Sequence, residues 1–219
     1  MLSENQCLLF TIASLTTGIC VLGLLVSEYK ASQVGKWAFK PLAAAGFIVS
    51  AFAVGAHEHG FGQWVLLALF LSMIGDILLI PARVGGAFAA GLGAFLLGHV
   101  AFAIAFIVRG IDGLYTTIAI GLFSLVGVAI YRWLKPNVPP NLRGPVMAYV
   151  AVITVMVALS VGTTLYAAST LIPVAAALFW LSDISVARGR FMDAGFSNRL
   201  WGIPFYFGAQ VMFAYAALI

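Results

Sequence analysis

Charged residues are scarce in this chain. They make up 8% of its 219 residues, whereas a soluble globular domain carries about 25%. Hydrophobic residues make up 63% and the mean hydropathy is +1.09, so a water-soluble globule could not bury all of the apolar side chains. The chain is therefore expected to be an integral membrane protein. This excludes a coiled coil, a disordered tail and a DNA-binding domain, although the net charge is +4.

Cysteine is also scarce, because the chain contains only Cys7 and Cys20. Both fall within one apolar run, where an α-helix would hold them about 20 Å apart, so they cannot form a disulfide with each other. The two cysteines are therefore uninformative about function, and it is the apolar composition that excludes a secreted disulfide scaffold. The N-terminal segment Met-Leu-Ser-Glu-Asn-Gln has no basic residue, and no clear small-residue cleavage site follows it. We therefore expect the first apolar run to be a retained helix and not a signal peptide.

Apolar runs of about 20 residues, the length that spans a bilayer as a helix, occur repeatedly along the chain. They cover residues 7–27, 39–56, 63–81, 87–108, 114–134, 145–165, 168–186 and 201–219. These runs are too long and too continuously apolar for the strands of a membrane barrel. The sequence therefore predicts an all-α integral membrane fold. We expect a compact bundle of eight transmembrane helices that forms a single polytopic domain over residues 1–219.

Basic residues are distributed unequally between the two sets of predicted loops. The loops after the first, third, fifth and seventh spans carry nine of them, and the opposite side carries only Arg109. The nine are Lys30, Lys36, Arg83, Arg132, Lys135, Arg143, Arg188, Arg190 and Arg199. Because Lys and Arg are enriched in cytoplasmic loops, this bias predicts that both termini lie on the non-cytoplasmic side.

Several predicted spans carry polar side chains within about 8 Å of their cytoplasmic ends, counted at about 1.5 Å per residue. They are the carboxylates Asp76 and Asp183 together with Lys40, Tyr149 and Tyr206. Gln210 and His99 extend the group toward the membrane centre. A charge inside a span costs at least about 2.5 kcal/mol and therefore needs a reason. The shared depth predicts a polar pocket that opens toward the cytoplasmic leaflet.

Each of these residues also has a purely structural interpretation. Lys40 can extend its amine to the interface, and the two aspartates can pair with Lys40 or Arg83. The tyrosines can belong to an interfacial aromatic belt. Gln210 and His99 can form hydrogen bonds between helices. Two intramembrane carboxylates are more than packing requires, which favours a functional pocket.

A metal site is a weaker hypothesis. His57, Glu58 and His59 are adjacent in a predicted outer loop, but no further His or Cys stands near them in the sequence to complete a tetrahedral set. A solvated loop is the favoured interpretation. We expect no metal and no other cofactor.

A short internal match links the two aspartates. Residues 74–78, Ile-Gly-Asp-Ile-Leu, match residues 181–185, Leu-Ser-Asp-Ile-Ser, at equivalent points of the third and seventh spans. Both spans run in the same direction, so the match is compatible with a weak parallel duplication of four plus four helices. It supports treating Asp76 and Asp183 as a pair.

Five short motifs follow one another along the predicted second to eighth helices. They are Lys40-Pro41-Leu42, Ser72-x-x-Gly75-Asp76-x-Leu78-Leu79, Gly91-x-x-x-Phe95-x-x-x-His99, Phe179-x-x-Ser182-Asp183 and Tyr206-Phe207-x-Ala209-Gln210. Singly they are weak, but jointly and in this order they resemble the YhhN family of membrane proteins, which includes lysoplasmalogenases. The sequence departs from the family pattern at Phe102 and Phe207, where the family often has tyrosine. Those hydroxyls are dispensable, or this member acts on a somewhat different substrate.

The resemblance implies a function, a location and partners. The function is hydrolysis of the vinyl ether bond of 1-alkenyl lysophospholipids, which yields a fatty aldehyde and glycerophosphocholine or glycerophosphoethanolamine. The family's bacterial branch and the compact loops together imply a bacterial inner membrane. The expected partners are the lysophospholipid substrate and membrane lipid, without nucleic acid, and the sequence leaves the oligomeric state open.

This reaction suits the predicted pocket. Hydration of a vinyl ether begins with proton transfer to carbon, which creates an oxocarbenium-like cation and requires a general acid that holds its proton near neutral pH. Burial, and a second carboxylate nearby, favour the protonated form of a carboxyl group. We hypothesise that Asp76 and Asp183 are the acid and base, in either order. The residues expected to position water, the glycerol hydroxyl or the phosphate are Lys40, His99, Tyr149, Tyr206 and Gln210.

Two other functions fit the same residues. A proton-coupled transporter of small molecules or lipids would also use intramembrane carboxylates and His99. The predicted charges, however, cluster near one face and not at the midplane. A scaffold protein would use its polar groups only to join helices.

Overall fold

The computed structural model describes residues 2–81, 86–192 and 195–218, and within these ranges the chain is helical without a β-strand. Its eight long helices are α1 (Glu4–Tyr29), α2 (Gln33–Ala53), α3 (Gly60–Leu79), α4 (Ala87–Arg109), α5 (Gly113–Leu134), α6 (Arg143–Gly162), α7 (Leu171–Phe191) and α8 (Phe196–Ala216). Single helical turns cover Ala56–Glu58, Lys135–Asn137, Pro140–Leu142 and Thr164–Ala167. The predicted loop residue Arg83 lies outside the described residues.

Each long helix coincides with a predicted apolar run, but three helices extend about a turn and a half beyond their run at the end that carries the basic residues. Thus α2 begins at Gln33 instead of 39, α7 ends at Phe191 instead of 186, and α8 begins at Phe196 instead of 201. Apolar composition marks the segment suited to hydrocarbon, whereas helical hydrogen bonding continues into polar ends. The hydroxyl of Ser32 caps the start of α2. Lys40 therefore lies two turns inside α2 and not in its first turn.

Six of the eight long helices in the described ranges are long and apolar enough to cross a membrane, namely α1, α3, α4, α5, α6 and α7. The chain is therefore a multi-pass membrane protein. The other two helices carry more polar side chains, including Lys36 and Lys40 in α2 and Asn198 and Gln210 in α8. These side chains lower the mean hydropathy of α2 and α8.

Consecutive helices pack in pairs, α1 with α2, α3 with α4, α5 with α6, and α7 with α8. Helix α8 also packs on α1 and α2, and α6 packs on both α4 and α7. The core between them is largely aromatic, with Phe47, Phe102, Phe179 and Phe213 fully buried. In this arrangement two groups of helices face a common space. The first group is α2, α3 and α8, and the second is α4, α6 and α7.

Candidate active site

Asp76 of α3 lies in a buried ion pair, with 2% of its side chain exposed. Nζ of Lys40 in α2 lies 3.2 Å from Oδ1 of Asp76, and it donates a hydrogen bond to the backbone carbonyl of Asp76 at 3.0 Å. The hydroxyl of Tyr206 in α8 donates to Oδ2 at 2.6 Å. Helices α2 and α8 thus each give one carboxylate oxygen of Asp76 a partner, and both partners complement the ionised form of the carboxylate.

A glycine next to this ion pair lets α3 approach α4 closely. A Cβ atom at Gly75 would lie 2.6 Å from Cδ2 of Phe95, so the position accommodates only hydrogen. The ring of Phe95 packs edge-on against the ring of Tyr206, with 5.7 Å between their centroids. Because Gly75 has no side chain, α4 packs closely on α3. Phe95 of α4 therefore contacts Tyr206, which donates a hydrogen bond to the Asp76 carboxylate.

Asp183 of α7 lies in a second hydrogen-bonded cluster. The hydroxyl of Tyr149 in α6 donates to Oδ2 of Asp183 at 2.9 Å, and Nε2 of His99 in α4 lies 3.2 Å from the same oxygen. The side chain of Asp183 is 14% exposed and that of His99 is fully buried. Of the two carboxylates, Asp183 is therefore the more accessible to a molecule that enters the bundle.

The ring of His99 lies between the Phe95 carbonyl and the Asp183 carboxylate. Nδ1 of His99 lies 2.7 Å from the backbone carbonyl oxygen of Phe95, and because a carbonyl oxygen only accepts, Nδ1 carries a hydrogen and donates it. Nε2 would then turn a lone pair toward the carboxylate unless a further proton sits on His99 or Asp183. The two groups are close, although they are not aligned as a hydrogen bond. The two groups are thus close enough to exchange a proton, which is the geometry that general acid catalysis requires.

An aromatic wall joins the two clusters. The ring of His99 stacks on Phe179 with 4.4 Å between centroids, and the ring of Tyr206 lies 5.5 Å from the same phenylalanine. Phe95 also contacts both sides, since its carbonyl accepts from His99 and its ring packs on Tyr206. The two carboxylate clusters are therefore neighbours on one surface.

Both carboxylates line a polar cavity of about 270 Å³. Lys40 and Tyr206 line its inner part, and Glu28, Arg190 and Arg199 line its outer part, which belongs to the ends of α1, α7 and α8. A second pocket of about 60 Å³ adjoins this cavity, and it is lined almost entirely by apolar side chains. The site thus offers a polar space and an apolar space side by side.

Charged side chains surround the outer part of the polar cavity. Glu28 lies 2.8 Å from Nζ of Lys36 and pairs with Arg199. The guanidinium carbon of Arg190 lies 4.3 Å from the ring centroid of Phe88. The sequence analysis did not identify Glu28 as a site residue. A carboxylate at the end of the first span that adjoins the basic loops was the signal that could have identified it. With three cations and one carboxylate, this end attracts anions such as phosphate.

The structure brings six of the seven predicted site residues into the two clusters. The first contains Lys40, Asp76 and Tyr206, and the second contains His99, Tyr149 and Asp183. Both tyrosines are buried and bonded to aspartates instead of lying in an interfacial belt. Gln210 is fully buried one turn from Tyr206, but its amide has no hydrogen-bond partner among the residues that the structure describes.

The His57–His59 segment lies at the opposite end of α3. Nδ1 of His59 accepts a hydrogen bond from the backbone of Gly62 at 3.1 Å and so caps the start of that helix. The side chains of His57 and Glu58 are more than half exposed. Across residues 2–81, 86–192 and 195–218, no three His, Cys, Asp or Glu side chains are grouped to hold a metal ion.

Two curated proteins are similar to this chain. Both are named lysoplasmalogenase, one from Mycobacterium bovis and one from Mycobacterium tuberculosis, and each is 30% identical over 161 residues. The alignment covers 70% of this chain and 60% of each relative, so the chain spans less than two thirds of the curated relatives it matches. No solved structure matches the chain.

The sequence profile of the YhhN family matches residues 35–217. This range contains both carboxylates, every side chain bonded to them, and the walls of both cavities except the contribution of α1. The resemblance inferred from the five short motifs is confirmed. The chain belongs to the YhhN family.

Proposed function

We propose that this protein hydrolyses the vinyl ether bond of 1-alkenyl lysophospholipids, releasing a fatty aldehyde and glycerophosphocholine or glycerophosphoethanolamine. The observation that carries the proposal is the pair of carboxylates in one cavity, one paired with a lysine and the other 3.2 Å from a buried histidine nitrogen. The two mycobacterial relatives named lysoplasmalogenase support the same activity.

Asp183 and His99 supply the proton in the first step. The proton held between them is transferred to the double-bond carbon that is not attached to oxygen, and the bonding electron pair of the alkene forms the new C–H bond. The other carbon becomes an oxocarbenium-like cation that shares its charge with the ether oxygen. Tyr149, which donates to Asp183, keeps the carboxyl group oriented.

Asp76 serves the second step. Its carboxylate, paired with Lys40 and Tyr206, stabilises the cation electrostatically and accepts a proton from the attacking water. The water oxygen bonds to the cationic carbon and gives a hemiacetal. The hemiacetal hydroxyl then returns its proton to the Asp183–His99 pair, the bond to the glycerol oxygen breaks, and that oxygen takes up the proton held by Asp76 as the aldehyde is released. One water is consumed and the catalytic protons are returned.

The membrane arrangement follows from the same residues. We propose that all eight long helices span the bilayer, with the polar cavity at the cytoplasmic leaflet and both termini outside. The outer part of the cavity carries Arg190 and Arg199, and basic residues favour the cytoplasmic side. A bacterial inner membrane and a weak four-plus-four duplication relating α3 to α7 belong to this proposal.

The test is aldehyde release from a 1-alkenyl lysophospholipid by the purified protein in detergent, beside the matched 1-acyl lipid and with a chelator present. We expect release from the alkenyl lipid only, and a loss of about 10²–10⁴-fold on Asp183→Asn, because that is the usual contribution of general acid catalysis. Asp112→Asn is the matched control, since Asp112 caps α5 away from the site. Full activity of Asp183→Asn would contradict the mechanism.

The transporter alternative makes a different prediction, because it requires a route to the opposite face. Beyond His99 and Gln210 the bundle is filled by Phe102 and Phe213, whose ring centroids are 4.2 Å apart. This aromatic packing supports a cavity that is served from one side. Proton-coupled flux in liposomes without aldehyde release would favour transport.

A further inference from the structure

The apolar pocket beside the polar cavity meets it at a catalytic carboxylate. Five residues line both spaces, namely Leu79, Phe88, Phe95, Asp183 and Val186. Of the described residues, Asp183 is the one carboxylate that lines both. A molecule that occupied the two spaces together would therefore pass Asp183 at the boundary between its polar and apolar parts.

The walls of the apolar pocket come mainly from α4, α5, α6 and α7, and Leu79 of α3 completes them at the boundary with the polar cavity. They include Leu92, Ile130, Val146 and Trp180, and beyond Asp183 and Tyr149 no described residue of the wall is ionisable. Such a wall suits hydrocarbon and offers nothing to a phosphate or an ammonium group. The side chains that attract phosphate, Arg190 and Arg199, lie instead at the outer part of the polar cavity.

We propose that the apolar pocket binds the first carbons of a single aliphatic chain, so that a one-chain lipid lies across Asp183 with its head group in the polar cavity. The identity of the bond at Asp183 rests on the proposed function, whereas the chain site rests on the geometry of the pocket. A pocket of about 60 Å³ is narrow, so it accepts one chain and excludes a second one alongside.

The rest of the chain has an exit toward the bilayer. Helix α5 packs on α6, whereas α4 and α5 make few contacts along their described lengths. Phe88 and Leu92 of α4 face Ile130 and Leu134 of α5 across the pocket. The chain beyond the pocket therefore passes between α4 and α5 into lipid, and its total length has little influence on binding.

Trp180 allows a direct test of the chain site. It lines the pocket three residues before Asp183, about 4.5 Å along the helix axis. The probe is a 1-O-alkyl lysophospholipid, which cannot be cleaved as a vinyl ether, with bromine on the carbons near the ether. We expect this probe to quench the fluorescence of Trp180 and a probe brominated at the chain end to quench it less. Trp180→Phe should remove the quenched component. Trp64→Phe should retain it, because Trp64 lies near the start of α3, at the end away from Asp76.

A steric test uses two leucines of α4. Leu92 lines the pocket and Leu97 is 56% exposed on the outside of the helix. We expect Leu92→Trp to weaken binding of the unbrominated 1-O-alkyl lysophospholipid at least tenfold in an equilibrium binding assay and Leu97→Trp to leave it unchanged. Thermal unfolding of both variants identifies any loss of the fold, and a milder Leu92→Phe variant provides an intermediate volume.

The outcomes separate the chain site from the proposed function. Proximal quenching that depends on Trp180, in a protein that releases no aldehyde, would support the pocket and overturn the hydrolase. Quenching that persists in Trp180→Phe, equal quenching by a two-chain brominated phospholipid, or unchanged binding to well-folded Leu92→Trp would overturn the chain site, whatever the aldehyde assay shows.

Discussion

Removal of the Lys40 charge should impair catalysis through Asp76. The charges lie 3.2 Å apart, which at an effective dielectric constant of about 20 corresponds to an attraction of about 5 kcal/mol. Measured losses on breaking a buried pair are about 3–5 kcal/mol. The side chain of Lys40 is 18% exposed, and the carboxylate keeps its bond to Tyr206, so we expect about 3 kcal/mol in Lys40→Met, the lower end of that range.

If the carboxylate stabilises the cationic transition state, this loss corresponds to a decrease in kcat of about a hundredfold, at about 1.4 kcal/mol per tenfold. The assay is the initial rate of aldehyde release at saturating substrate. Lys40 acts through Asp76, so the double variant Lys40→Met/Asp76→Asn should be no slower than Asp76→Asn alone. Additional slowing in the double variant, or an unchanged kcat in Lys40→Met, would refute the reasoning.

Lys36 provides the matched control on the same helix. Its side chain is also 18% exposed and its amine lies 2.8 Å from Glu28, but it does not line the cavity. Lys36→Met therefore removes the same charge and a similar contact without touching Asp76. We expect its kcat to equal that of the wild type. A loss equal to that of Lys40→Met would show that the charge acts at long range and not through the pair.

Two further predictions follow from the geometry of α3 and α4. His99→Phe keeps a ring against its neighbours but removes the nitrogen that faces Asp183, so aldehyde release should fall by about 10²–10⁴-fold. Asp183→Asn should add little to this loss; independent, multiplying effects would contradict the pairing. Gly75→Ala should lower the free energy of unfolding in detergent by about 1–3 kcal/mol, because its Cβ would lie 2.6 Å from the Phe95 ring. In Gly93→Ala the new Cβ meets no described atom within 4 Å, so the change should be neutral or stabilising by up to about 1 kcal/mol; equal losses in the two variants would disprove the steric explanation.

The grouping of site residues could be predicted only in part. Depth along each span follows from the sequence because a helix advances a fixed distance per residue. This rule predicts a similar depth for Asp76, Asp183, Tyr149 and Tyr206. Rotation of each helix about its axis depends on packing against the others. The separation into a lysine cluster and a histidine cluster, and the isolation of Gln210 from both, therefore required the structure.

The ends of the helices show a similar limit. Hydropathy located the apolar part of α2, but the helix begins at Gln33, because backbone hydrogen bonding and the Ser32 cap do not depend on apolar composition. For the same reason the first part of α8 was predicted as loop, although Asn198 there donates to the backbone carbonyl of Ser185 at 2.6 Å and joins α8 to α7.

Composition and local periodicity by themselves determined that this chain is helical and embedded in a membrane, because long apolar runs can satisfy their backbone groups in lipid only as helices. The motifs by themselves indicated the YhhN family. Only the tertiary structure decided which donors meet each carboxylate, since Asp76 and Tyr206 are 130 residues apart in sequence and touch only when α3 packs near α8. The same holds for the apolar pocket at Asp183, because its lining residues come from five helices and meet only when those helices pack together.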